Sequence, residues 1–161
     1  MTTEDFTRPE ESLSVAARHM VGLETWEPQL GHGSLLLIDI GPPRTNSIGN
    51  RVGAYTLWVF GSYWEIRRDE STLATAEESR EAMAEAAASL SGRRVLSLIA
   101  DAQTLSLRLL LSDGFELVTT PARDPELEEW LLYLDDGNVL TAGPGMTLSL
   151  EDASAVPPGD P

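Results

Sequence analysis

The sequence predicts an α+β fold: one twisted, mostly antiparallel sheet of about seven or eight short strands with two packed helices. Three observations carry this expectation. Two stretches, one before Gly22 and one before Gly92, repeat apolar residues at helical spacing. The segment from Tyr55 to Arg68 is dominated by aromatic and β-branched residues, which favour strand. From Arg94 onward, short apolar runs are separated by hairpin-type dipeptides such as Asp113-Gly114 and Asp136-Gly137.

The first helix signal is a capping box, Thr7 with Glu10 three residues on, and Pro9 suits a first turn. Leu13, Ala16, Ala17, Met20 and Val21 make one face, and Gly22 is the stop. Leu35 to Ile40 is an apolar run bracketed by glycines and reads as a buried strand. The stretch 41–53 is rich in turn formers and reads as a flexible surface loop. Between Tyr55 and Arg68, Gly61-Ser62 is either a tight turn or a bulge; the bulge is favoured, because Gly-Ser is a weak hairpin signal. Thr75 and Glu78 predict a second capping box, leading a helix with Met83, Ala86, Ala87 and Leu90 on its apolar face. Strands follow over Val95–Ala100, Leu105–Leu111, Phe115–Thr120, Trp130–Leu134, Val139–Ala142 and Thr147–Leu150. Residues 1–150 are expected to form a single α+β domain and 151–161 a disordered tail, with no internal repeat and no second core.

The chain has 161 residues, a net charge of −15 and no cysteine. Disulfides, thiolate chemistry and cysteine-ligated zinc are therefore excluded. All eleven basic residues are arginine, a bias of the kind seen in GC-rich bacterial genomes. The first residues lack the basic and apolar regions of a signal peptide, and no apolar run reaches the roughly 20 residues of a membrane span; a cytoplasmic protein is expected. The acidity is concentrated, above all between Asp124 and Asp136, which holds six carboxylates and no basic residue. Such a surface repels nucleic acid and anionic membranes and attracts a basic protein.

Catalytic chemistry finds little support. His19 falls in the first helix, and His32, in a Gly-His-Gly loop, has no spacing that ties it to a nucleophile. Asp39 and Asp101 interrupt or end apolar strands; as a pair they would be an acid and a base, but each is more simply a solvent-facing or capping residue. Asp135-Asp136-Gly137-Asn138 lacks the ligand spacing of a calcium loop and reads as a hairpin turn. No glycine-rich phosphate loop is present. No metal, no cofactor and no catalytic residue is expected, which points away from an enzyme.

The segments GHGSLLLIDIG, YTLWVFGSYWEIRR and EEWLLYLDDGNVLTAGPG, in this order, resemble a group of small uncharacterised acidic proteins from actinobacterial genomes. That group has no established activity, so the resemblance transfers no functional residue. Two expectations result. The first is a non-enzymatic protein-interaction module, in its most concrete form an immunity-type protein that binds a basic partner. Its contact residues would be Asp124, Glu126, Glu128, Glu129, Asp135 and Asp136, with Trp130 as an aromatic anchor among them. The alternative is a small-ligand-binding protein or enzyme with an aromatic pocket at His32, Trp58 and Trp64.

Overall fold

The computed structural model describes residues 8–46, 48–101, 103–121, 126–145 and 147–152. Helix α1 (Pro9–Met20) has its proline in the first turn and buries Leu13, Ala16 and Met20. Gly22, just beyond, takes φ +90° and ends it. The expected capping box is not the device that starts it: the N-cap is Arg8, which makes no side-chain cap bond, and Thr7 lies outside the described residues. Helix α2 (Arg80–Ala88) buries Met83, Ala86 and Ala87. Its cap is Ser79, whose hydroxyl accepts from the Ala82 N–H at 3.2 Å. Thr75, the expected cap, ends a strand instead, and its hydroxyl accepts from the Glu77 N–H.

The strands are β1 (Thr25–Leu30), β2 (Leu36–Ile40), β3 (Arg44–Thr45), β4 (Arg51–Val52), β5 (Tyr55–Val59), β6 (Tyr63–Arg68), β7 (Ser71–Thr75), β8 (Val95–Ala100), β9 (Leu107–Leu111), β10 (Phe115–Thr120), β11 (Trp130–Tyr133), β12 (Asn138–Ala142) and β13 (Leu148–Asp152). The α+β, antiparallel expectation is met, but with thirteen strands among the described residues and two main sheets in place of one. The six-stranded sheet runs β1-β2-β5-β11-β12-β13 and the five-stranded sheet β7-β6-β10-β9-β8. Their inward faces and the two helices share one apolar core.

The split occurs at Gly61-Ser62. β5 and β6 lie in different sheets, so the dipeptide is neither a hairpin turn nor a bulge but a crossover. The N–H groups of Phe60, Gly61 and Ser62 all point at the Glu129 carbonyl, 3.0–3.3 Å away. A Cβ at Gly61 would lie 2.5 Å from the Glu128 carbonyl oxygen, so only glycine lets the two backbones meet. The segment 41–53 is not a featureless loop: β3 and β4 pair as a hairpin, with the Asn46 side chain accepting from the Ile48 and Asn50 N–H groups. Arg44 ties this hairpin to the carbonyls of Gly53 and Leu134. The hairpin expected across Asp113-Gly114 is present, with β9 and β10 paired and both turn residues at positive φ.

The chain is built twice, which corrects the expectation of no repeat. α1-β1-β2-β5 is a helix followed by a three-stranded meander, and α2-β8-β9-β10 is another. Each half then crosses to the other's sheet: β6-β7 join β10, and β11-β12 join β5. β3-β4 is an insertion in the first half and β13 an addition to the second. The halves meet about a local two-fold at the Glu24–Arg94 bridge. There, Gly22 N–H donates to the Val95 carbonyl (2.8 Å) and Gly92 N–H to that of Thr25 (2.7 Å). Likewise Val95 N–H donates to Leu23 (2.8 Å) and Thr25 N–H to Arg93 (2.7 Å). The two core tryptophans obey the same symmetry. Trp64 donates its indole N–H to the Ser34 carbonyl and Trp130 to that of Leu105, each residue closing its half's first strand-to-strand loop. The sequence echoes this: Trp64, Asp69, Thr75 and Ala76 recur in step as Trp130, Asp135, Thr141 and Ala142.

Candidate functional site

Beside α1 lies an open cleft of about 420 Å³. Helical periodicity brings Glu11, Ser12, Val15, Ala16 and His19 to one side of it, because residues three, four, seven and eight apart share a helix face. The other side is Tyr55, at the start of β5, and Leu134, Asp135 and Asp136, from the turn between β11 and β12. Ala16, Tyr55 and Leu134 are buried and make an apolar floor. Glu11, Asp135 and Asp136 are exposed and give the rim three carboxylates, with His19 the one histidine among the described lining residues.

The electrostatics of the cleft register on Tyr55. Burial above all, with the charge of Asp135, a hydrogen bond to that carboxylate and the charge of Asp136, pushes its hydroxyl up to about 12. The phenol is therefore a neutral donor to Asp135 at any ordinary pH. Among the described residues the ion pairs are Arg67–Glu65, Arg68–Asp69, Arg93–Asp113 and Arg108–Glu116. None of them involves Glu11, Asp135 or Asp136, so no cation among the described residues is paired with the rim charge.

The residues expected to contact a partner are dispersed by the fold. Asp135 and Asp136 reach the cleft. Glu126 is exposed and Glu128 half-buried on the segment leading into β11. Glu129 is only 4% exposed and accepts a hydrogen bond from the Ser62 hydroxyl at 2.8 Å, which makes it part of the sheet crossover. Trp130 has no exposed surface; the anchor anticipated there is a core residue. Asp124 lies outside the described residues. Glu11, Tyr55 and Leu134 were not anticipated at a site. The available signal was an acidic first helical turn with His19 two turns further along the same face.

The alternative aromatic pocket is not assembled from its three named residues. Trp64 is wholly buried and offers no surface to a ligand. Trp58 faces the other side of the six-stranded sheet, where its ring tilts against Tyr133 at 5.7 Å. His32 is exposed in the β1–β2 loop. Asp39 and Asp101 have separate tasks. Asp39 accepts from the Gly53 N–H (2.9 Å) and the Thr56 hydroxyl (2.8 Å) and so pins the base of the β3–β4 hairpin. Asp101 accepts from the Gln103 and Thr104 N–H groups in the β8–β9 turn, and these bonds hold its carboxyl below the usual range. Among the described residues no cluster of three or more His, Asp or Glu side chains is placed to hold a metal ion, and no helix is long and apolar enough to cross a membrane.

Compared with protein-family models, with curated proteins and with solved structures, the chain matches none.

Proposed function

We propose that this protein is a non-enzymatic interaction module that receives a basic segment of a partner protein in the cleft between α1 and the β11–β12 turn. The observation that carries this reading is the cleft itself: a concave apolar floor rimmed by Glu11, Asp135 and Asp136, which no cation among the described residues pairs. The overall charge of −15 speeds the encounter with a basic partner and repels nucleic acid. An immunity-type protein that neutralises a basic toxin is the most concrete form of this function.

The experiment is titration with a short basic peptide, hexa-arginine, across a salt series. Association should weaken steeply with salt, since exposed charges are screened over about 10 Å at 0.1 M. Asp135→Asn with Asp136→Asn should remove most of the binding with the fold intact, because exposed substitutions usually change stability by less than about 0.5 kcal/mol. Unchanged affinity in that variant would show that the peptide docks elsewhere and that the cleft is a solvated surface.

A further inference from the structure

We infer that the cleft is built to take an arginine side chain, its guanidinium set against Tyr55 and between the carboxylates of Glu11 and Asp135–Asp136. This deepens the reading of the cleft as a basic-partner site and rests on it. The argument comes from the internal two-fold, which supplies a second copy of the same place with its occupants present.

In the second half, the counterpart of Tyr55 is Phe115: each is the first residue of the third strand of its meander. The counterpart of the turn Leu134-Asp135-Asp136 is Arg68-Asp69-Glu70, read in step from Trp130 and Trp64. There the ring is covered by two guanidinium groups. Arg93 lies 4.0 Å from the centroid of Phe115 and Arg68 4.8 Å from it. Arg93 is further held by Asp113 at 3.0 Å and by the carbonyl of Ser89 at 3.0 Å, and Arg68 lies 4.0 Å from Asp69. Ring, helix end and acidic turn thus enclose cations drawn from the protein's own chain.

The first half keeps the ring and the acids of the turn, has no counterpart of Asp113, and among the described residues places no guanidinium over the ring; Arg44 reaches only the carbonyls of Gly53 and Leu134. Arg68 is replaced by Leu134 and Arg93 by Leu23, the residues related by the two-fold. Asp69 remains as Asp135 and Glu70 as Asp136. Two long side chains become short ones; Leu134, in the place of Arg68, lines the open volume beside Tyr55. An aromatic ring with flanking carboxylates fits a flat, weakly hydrated guanidinium better than a compact, strongly hydrated ammonium. The occupant is therefore an arginine of a partner, supplied in trans where the second half supplies it in cis.

The test uses the full chain, isotope-labelled, titrated with N-acetyl-arginine methylamide and with N-acetyl-lysine methylamide while backbone amide shifts are followed. The arginine compound should move the amides of 11–19 and 134–137 and bind roughly three- to fivefold more tightly than the lysine compound. Leu134→Arg should restore the cation in cis and abolish the arginine response. Should that variant not fold, Asp135→Asn with Asp136→Asn provides the same comparison and should lose the preference for arginine. Equal binding of both compounds at the cleft would overturn the guanidinium assignment and leave the basic-partner reading standing. No shift at the cleft from either compound, or from hexa-arginine, would remove both.

Discussion

Asp39 shows how one carboxylate serves the fold rather than a reaction. Burial holds its carboxyl above the usual range, the bonds from Gly53 and Thr56 pull it back, and the charge of Glu27 adds to the rise. A folded value above the ordinary 3.8 means that the folded state takes up the proton more readily. The stability linked to this group is therefore fully present below the unfolded value and is lost as pH rises through the folded one. Asp39→Asn should flatten that part of the pH dependence without loss of stability near neutrality. Asp39→Ala should cost about 1–3 kcal/mol at pH 7, because the Gly53 N–H and the Thr56 hydroxyl lose their acceptor under the hairpin. Urea unfolding of the three proteins at pH 4 and pH 7 checks this; an asparagine variant with the wild-type pH slope would exclude Asp39 as its source.

At the scale of elements, turns carry the arrangement. Gly92 and Gly114 both sit at positive φ, +74° and +81°. Around Gly92 a Cβ would meet nothing, whereas at Gly114 it would collide with the Asp69 carboxylate. Gly92→Ala should cost only the left-handed backbone strain, about 1–2 kcal/mol. Gly114→Ala should cost a similar amount, because the Asp69 carboxylate is the exposed end of a side chain that can swing aside; thermal melts of the two variants decide, and a markedly larger cost at Gly114 would show that Asp69 is held in place. The Asp113-Gly114 hairpin was legible because left-handed turn chemistry is local. β1 was not: Thr25–Leu30 contains Pro28, and its pairing with β2 shifts between Trp26 and Gln29, so no clean alternation survives. β7 was missed because it is a largely exposed edge strand whose only buried residue is Ala74.

For the whole molecule, the consequence of the duplication is mutual dependence. Each sheet contains strands from both halves, with β5 paired to β11 and β6 to β10. A half on its own would leave those edges bare and Trp64 or Trp130 unburied. Residues 1–76 and 77–161 expressed separately should each fail to unfold cooperatively. Mixed in equal amounts they should regain the circular dichroism and the melting transition of the intact chain. A cooperative melt from either fragment alone would show that the swapped strands are dispensable.

Local chemistry determined much of this protein before any tertiary contact was known. The two helices and their glycine stops, the antiparallel character of the strands from Val95 onward and the concentrated acidity all follow from spacing, propensity and charge within short windows. The division into two sheets was decided by the crossover at Gly61-Ser62, whose meaning depends on the Glu129 carbonyl far along the chain. The same holds for the site. Asp135 and Asp136 were visible as acids, but the company of Glu11 and Tyr55, and the burial of Trp130 and Glu129, are set by which strands pair. Strand pairing is a long-range choice, stabilised by burial that no local window contains.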